Sequence, residues 1–293
     1  VESFDATAAK AIPGVVKIVQ VSQGVAVVAK NTWAARRGRD ALVVKWSAGD
    51  AAGFSTAALE RRYAELARTP GVIAHASGDV AKVEGAVKTV AAEYAAPYLS
   101  HAPLEPLNCT VVFGPDGVDV WSGTQMQSPD HHAAASTSGL PPEKVRLHTV
   151  TYLGGGFGRR ANPISDFLVE AIEVAKASGL PVQTVRTRED DMQGGWYRPQ
   201  GAARLTAALG ADGRPLSWTH TAVVQPILKG TIFEAYGVDK ESGLDATTFE
   251  GAKELPYAIP NVRVDVHEQR GPVPVLWWRS VGHTHSAFTI ESF

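Results

Sequence analysis

The stretch Val145-Arg146-Leu147-His148-Thr149-Val150-Thr151-Tyr152-Leu153-Gly154-Gly155-Gly156-Phe157-Gly158-Arg159-Arg160-Ala161-Asn162-Pro163 decides how this chain is read. Val145 to Leu153 is rich in β-branched and aromatic residues and predicts a strand. A glycine-rich turn follows. Asn162 suits an N-cap and Pro163 the first helical position, so a helix is predicted from Pro163 to Ala177. Ile164, Phe167, Leu168, Ala171, Ile172 and Ala175 give it one apolar face, and Gly179 suits its stop. Val182 to Thr187 reads as the next strand. Strand, glycine loop, helix and strand in this order place the chain in the mixed α+β (α/β) class.

Three successive glycines remove three Cβ atoms, so the loop backbone is free to approach a ligand closely and to take positive φ. The helix expected behind it would offer unpaired N–H groups and a positive dipole end, while Arg159 and Arg160 would add charge and bidentate donors. That is chemistry for a phosphate-bearing or oxyanionic ligand. The competing reading is a tight turn carrying two solvated arginines. A dinucleotide fingerprint does not fit: its third glycine would fall at Arg159, and the next strand ends Arg186-Thr187-Arg188 without an acidic residue. A phosphate loop of the Gly-Lys-Ser/Thr type is absent too.

Working outward, the N-terminal region reads as a small α/β unit. Asp5 caps a short helix, Val15 to Val19 and Val25 to Ala29 are strands, Asn31 caps a second helix ending near Gly38, and Ala41 to Trp46 is a third strand. A better helix opens at Ser55 or Thr56, with Leu59, Tyr63 and Leu66 at helical spacing and Pro70-Gly71 at its end. Lys88 to Ala95 is a strand. Cys109 to Phe113 and Val118 to Trp121 make a hairpin, and a helix over Pro129 to Ser138 stops at Gly139. Ala203 to Leu209 and Leu216 to Val224 make another hairpin, and Val262 to Val266 a last strand.

Other residues could carry chemistry. Gln125, in Ser122-Gly123-Thr124-Gln125 just past a strand end, has an amide that donates to an oxygen ligand, though an isolated glutamine is more often structural. Glu105, between Pro103-Leu104 and Pro106, is either a desolvated carboxylate with a raised pKa or a hydrogen-bond anchor. Trp277-Trp278-Arg279-Ser280-Val281-Gly282-His283-Thr284-His285 gathers two indoles, a guanidinium and two imidazoles suited to a planar ligand. His283 and His285 lack a third ligand at metal spacing, so no metal ligands are assigned. His131-His132 reads as structural or solvated, and Asp190-Asp191 as a turn.

Composition bounds the function. The chain has 293 residues, 44% hydrophobic and 20% charged, which suits one large or two modest folded domains and argues against extended disorder. A net charge of -2 gives no electrostatic reason for nucleic acid. No run approaches the roughly 18 apolar residues a membrane span needs. Its one cysteine, Cys109, excludes an internal disulfide or a thiolate-bound cluster within this chain but leaves the compartment open. The start at Val1 and an unfinished helix from His285 to Phe293 suggest that both ends are cuts.

The segments His101 to Thr110, Gly123-Thr124-Gln125, Gly154 to Arg160 and Trp278 to His285, in this order, resemble the molybdopterin-binding large subunit of the xanthine oxidase and aldehyde oxidase family. Within it, the isoquinoline 1-oxidoreductase beta branch is the most similar, because the loop ends Arg159-Arg160 rather than Gly-Lys. The resemblance implies that residues 1–75 are the end of an α/β hammerhead-like domain and residues 76–293 the first part of the cofactor-binding domain. It implies a molybdenum–pterin cofactor, of the cytosine dinucleotide form, and hydroxylation of an N-heteroaromatic ring or an aldehyde with oxygen from water. It further implies a small [2Fe–2S] partner subunit that takes the electrons. By the same resemblance Gln125 hydrogen-bonds an oxygen ligand of the metal, Gly156 and Phe157 approach metal and pterin, and Arg279 contacts substrate or cofactor. Gly154, Gly155, Gly158, Arg159 and Arg160 complete the cofactor-binding loop.

Two departures narrow this. Xanthine-oxidising members carry a glutamate where Ala161 stands, so purine recognition is not expected. The family's catalytic glutamate lies in a Gly-Val-Gly-Glu motif that this sequence lacks, so the chain alone is expected to be inactive and without its cofactor. The rivals are a non-catalytic binding or assembly protein on the same scaffold and, further off, a nicotinamide-dependent oxidoreductase.

Overall fold

The computed structural model describes residues 1–293. In chain order the elements begin β1 (Ser3–Asp5), α1 (Thr7–Lys10), β2 (Val15–Val21), β3 (Gly24–Ala29), α2 (Thr32–Asp40), β4 (Val43–Lys45), α3 (Thr56–Leu66), β5 (Val72–Ser77) and β6 (Lys88–Ala96). Then come β7 (Leu99–Ser100), β8 (Asn108–Gly114), β9 (Gly117–Ser122), α4 (Gln127–Ser138), β10 (Val145–Thr149), α5 (Asp166–Ser178), β11 (Val182–Val185) and α6 (Arg188–Gln193). The chain closes with β12 (Tyr197–Arg198), β13 (Gly201–Leu209), β14 (Pro215–Val224), α7 (Glu234–Gly237), β15 (Asn261–Glu268) and α8 (His283–Ser292). Helix at 27% and strand at 31% make the expected mixed α+β class.

Two compact units emerge, each from two stretches of chain: Val1–Ala52 with Ala102–Gly194, and Gly53–His101 with Gly195–Phe293. Packing therefore does not divide at residue 75. β5 runs across that point and pairs with β15, almost two hundred residues later, so its backbone bonds tie both sides of the expected boundary into one sheet.

In the first unit a four-stranded sheet of order β10-β9-β8-β11 has β10 parallel to β9 and the other pairs antiparallel. Alternation along β8 and β9 turns Cys109, Val111, Val118 and Val120 inward, where they meet Phe167, Leu168, Ala171, Ile172 and Ala175 of α5. The β2–β3 hairpin is tied to α5: Ser22 donates from N (2.9 Å) and Oγ (2.8 Å) to Glu173, and Lys17 donates to the Ser178 carbonyl. Asn31 caps α2 by accepting from Ala34 N (2.9 Å), and α4 stops at Gly139 in the left-handed conformation.

Three local expectations need correction. β10 ends at Thr149 rather than Leu153, because beyond Val150, which donates to the Ser122 carbonyl, no partner strand continues the ladder. α5 begins at Asp166 rather than Pro163. Asn162 instead accepts from Ile164 N (2.9 Å), which holds the chain in an Asx turn before the helix. Asp190-Asp191 lies in helix α6 rather than in a turn, its start fixed by a capping box between Thr187 and Asp190.

The second unit holds a five-stranded sheet of order β5-β15-β14-β13-β6, with only the β14–β15 pair parallel. One face packs Leu205, Trp218, Val262, Val264 and Val266 against Leu244, Phe249 and Ile290. The opposite face carries Val223 against Tyr63 and Ala67 of the α3 segment. No helix is long and apolar enough to cross a membrane.

Candidate functional site

The glycine loop, residues 154–160, sits in the first unit beside the 103–108 segment and the turn after β9. Glu105 N donates to the Gly154 carbonyl (3.0 Å), and Gly154 N donates back to Glu105 Oε2 (2.5 Å). Asn108 donates to Oε1 of the same carboxylate (2.5 Å). Burial alone would raise the Glu105 pKa, but the Gly154 amide, the Asn108 amide and the Arg160 guanidinium together hold it below the usual carboxylate value. The raised pKa considered for Glu105 is thus overturned, and its alternative role as a hydrogen-bond anchor is the one observed.

The two arginines are neither solvated nor spread toward an anion. Arg159 makes a bidentate pair with Asp166 at 3.0 and 2.6 Å, with only 2% of its side chain exposed. Arg160, with a fully buried side chain, donates from Nε to the Gly155 carbonyl (2.8 Å) and from Nη2 to the Glu105 carbonyl (3.0 Å). Burial lowers the Arg160 pKa, against the pull of Glu105 and Asp191. The reason is local: a loop of glycines has no side chains to fill the space beneath it, and a planar guanidinium both fills that space and satisfies the loop carbonyls. The Asp166 carboxylate occupies the first turn of α5, and α5 starts well past the loop, so no open helix N-terminus faces a ligand here. Arg159 Nε and Arg160 Nη1 keep no hydrogen-bond partner.

Gln125 completes the arrangement. Its backbone N donates to the Arg160 carbonyl (3.0 Å), while Oε1 accepts from Gly158 N (3.1 Å) and Arg160 N (3.3 Å). Two N–H donors on one amide atom identify that atom as oxygen, so Nε2 of this exposed residue keeps both hydrogens for an external acceptor. Gly156 lies directly against this amide: a Cβ there would sit 2.7 Å from Gln125 Cδ and closer still to Oε1. Gly155 (φ +95°), Phe157 (φ +57°) and Gly158 (φ +103°) take left-handed conformations. The N–H groups of Gly155, Gly156 and Phe157 enter no hydrogen bond within the chain, and successive free N–H groups in such a turn form an anion-binding concavity.

Arg279 belongs to the second unit. It is exposed, at φ +39°, and its guanidinium makes no hydrogen bond or ion pair. Trp277 packs edge-on to Phe233 (5.6 Å between centroids). His283 is exposed, its Nδ1 3.5 Å from Glu250, whereas His285 turns inward and burial lowers its pKa to about 4. The two histidines therefore do not share a face. Reading the sequence missed Asp166, whose only signal was an acidic residue in a first helical turn, and Glu250, which carried none.

Residues 65–293 match the family described as "Molybdopterin cofactor-binding domain". The chain is 28% identical to isoquinoline 1-oxidoreductase subunit beta of Brevundimonas diminuta, over 99% of this chain and 38% of that protein. It is 34% identical to a membrane-bound aldehyde dehydrogenase [pyrroloquinoline-quinone] of Gluconacetobacter polyoxogenes, over 85% of this chain and 33% of that protein. The chain thus spans 33–38% of the length of these relatives. Among solved structures, CO dehydrogenase from Oligotropha carboxidovorans superposes with a TM-score of 0.66 at 18% identity, covering 99% of this chain and 42% of that one. The aldehyde oxidoreductase from Desulfovibrio gigas gives 0.63 at 18% identity, covering 98% and 35%. A family match over most of the chain settles the assignment: the chain belongs to the molybdopterin cofactor-binding domain family.

Proposed function

We propose that the protein is the cofactor-binding subunit of a molybdenum hydroxylase that oxidises an N-heteroaromatic or aldehyde substrate with oxygen from water. The observation that carries this reading is the Gln125 amide, whose oxygen is held by two loop N–H groups while its NH2 has no partner within the chain. The donor set fits a molybdenum–pterin group: three free backbone N–H groups, a free carboxamide NH2, and a floor that a Cβ at Gly156 would fill. When bound, such a group supplies a two-electron redox metal centre. Gln125 Nε2 would donate to an oxygen ligand of that centre, and the 155–157 backbone would bind its oxygen atoms and hold them away from water. Arg159 and Arg160 act from beneath, keeping the loop in the one shape that aims these donors. Arg279 would contact substrate or cofactor. Buried Ala161 offers no carboxylate to a purine, which favours other heteroaromatics and aldehydes.

The cytosine dinucleotide form of the cofactor and a small [2Fe–2S] partner subunit complete the proposal, supported by the resemblance to the isoquinoline-type relative. In the full-length protein purified with its partner, Gln125→Ala should lower turnover about 10- to 100-fold while molybdenum content stays near that of the parent. Unchanged turnover would remove Gln125 from the site.

A further inference from the structure

We propose that Glu250 is a positioning residue that holds the Arg279 turn in its strained, ligand-facing shape. This inference rests on the reading of Arg279 as a substrate or cofactor contact. The turn from Trp278 to Gly282 carries two non-glycine residues in the left-handed region, Arg279 (φ +39°) and Val281 (φ +51°). A β-branched residue is among the least tolerant of that conformation. Such backbone persists only where its surroundings over-determine it, and it concentrates at functional sites.

The surroundings here converge on one carboxylate. Gly282 N donates to Glu250 Oε2 (2.8 Å), and His283 Nδ1, opening α8, lies 3.5 Å from the same oxygen. Gly282 is buried against this segment so closely that a Cβ would stand 2.5 Å from the Thr247 carbonyl and 2.7 Å from Glu250 Cβ. On the other side of the turn, Val281 N donates to the Trp278 carbonyl (2.9 Å), and Ser280 Oγ and Thr284 Oγ1 lie 3.0 Å apart.

The base beneath Glu250 is itself fixed. Glu250 N donates to the Ala246 carbonyl (3.0 Å). Thr247 donates from N (3.0 Å) and Oγ1 (2.7 Å) to Oδ1 of the fully buried Asp245. Asp245 N donates to Glu268 Oε1 (2.5 Å) at the end of β15. Hydrogen bonds at both ends of the short 245–250 backbone thus link the end of β15 to Gly282, with Glu250 making the last contact. Glu250 supplies no group to a ligand in this account. It acts through the Gly282 amide on the backbone that carries Arg279.

The test uses the full-length protein with its partner, and four variants: Glu250→Ala, Glu250→Gln, Arg279→Ala and the Glu250→Ala/Arg279→Ala double. Two readouts are taken, hydrogen exchange over residues 278–284 and kcat/KM with isoquinoline and benzaldehyde as probes. Glu250→Ala should speed exchange in that segment at least about tenfold and lower kcat/KM about 10- to 100-fold, as small misplacements of a site group do. Glu250→Gln keeps an acceptor oxygen for Gly282 N–H and should stay within about threefold of the parent in both readouts. In the Arg279→Ala background the further loss from Glu250→Ala should vanish, because both changes remove one action. Unchanged exchange in Glu250→Ala, a Gln variant as impaired as the Ala variant, or additive losses in the double would each overturn the proposal. If Arg279→Ala alone leaves kcat/KM intact, the reading of Arg279 fails, and the exchange data then decide separately whether Glu250 holds the turn.

Discussion

Gln125 and Gly156 define one another. The glutamine amide occupies the volume that any side chain at residue 156 would need, and its oxygen is held there by the Gly158 and Arg160 amides. Gly156→Ala should therefore push the amide off its two donors. The expected result is a turnover loss like that of Gln125→Ala, with a stability cost of about 1–2 kcal/mol for the displaced hydrogen bonds. Adding Gln125→Ala to Gly156→Ala should return part of that stability without returning turnover. Thermal unfolding and steady-state rates of the three variants check this; a Gly156→Ala protein with full turnover would show that the loop has room to spare. At this scale the sequence was legible in kind and misleading in detail. The glycines pointed to positive φ, which Gly155 and Gly158 take, but charge at Arg159 and Arg160 suggested an outward role and is turned inward in the fold. Residue type gives a guanidinium's chemistry; only the placement of Asp166 and of the Gly155 and Glu105 carbonyls decides where it is used.

At the scale of elements, helix α8 lies over the β13–β14 face, with Phe293 edge-on to Trp218 (4.9 Å) and Phe288 edge-on to Tyr94 (5.8 Å). Beneath it His220 is buried with neither ring nitrogen hydrogen-bonded, and His285 Nε2 is likewise without a partner. Burial, reinforced by the nearby His285, lowers the His220 pKa to about 3, and His285 falls to about 4. Both lie below the value of about 6.5 that an unfolded histidine has. Above that value both states are neutral and the stability is fully present. Between it and the folded values the unfolded chain holds protons that the folded chain refuses, so stability falls as pH drops, by about 1.4 kcal/mol per pH unit for each histidine. His220→Leu removes two orphaned nitrogens and one titration. It should raise stability at pH 7.5 by about 1 kcal/mol and flatten the loss between pH 6.5 and 4.5, as read from urea midpoints. A variant less stable at pH 7.5 with an unchanged pH slope would contradict this burial argument.

Most strands and the longer helices were readable from local pattern, since the alternation in β8 and β9 and the spacing of Leu59, Tyr63 and Leu66 face real cores. What local pattern could not show was the start of α5. Asn162 has the chemistry of a cap and spends it on an Asx turn, because Arg159 draws Asp166 into the first turn instead.

At the scale of the whole molecule, the division into units escaped the sequence because each unit joins stretches separated by about fifty to a hundred residues. Nothing in a local window reports that Val1–Ala52 packs with Ala102–Gly194. The family, in contrast, was legible from four short motifs in a fixed order, although overall identity to the relatives is only 28–34%. The central claim, a loop and a glutamine built to receive a molybdenum–pterin group, is tested most directly by metal and pterin analysis of the full-length protein purified with the proposed partner subunit. The account requires close to one molybdenum per subunit, together with a releasable pterin nucleotide. A folded, intact complex containing neither would contradict it and leave a binding or assembly role for this scaffold.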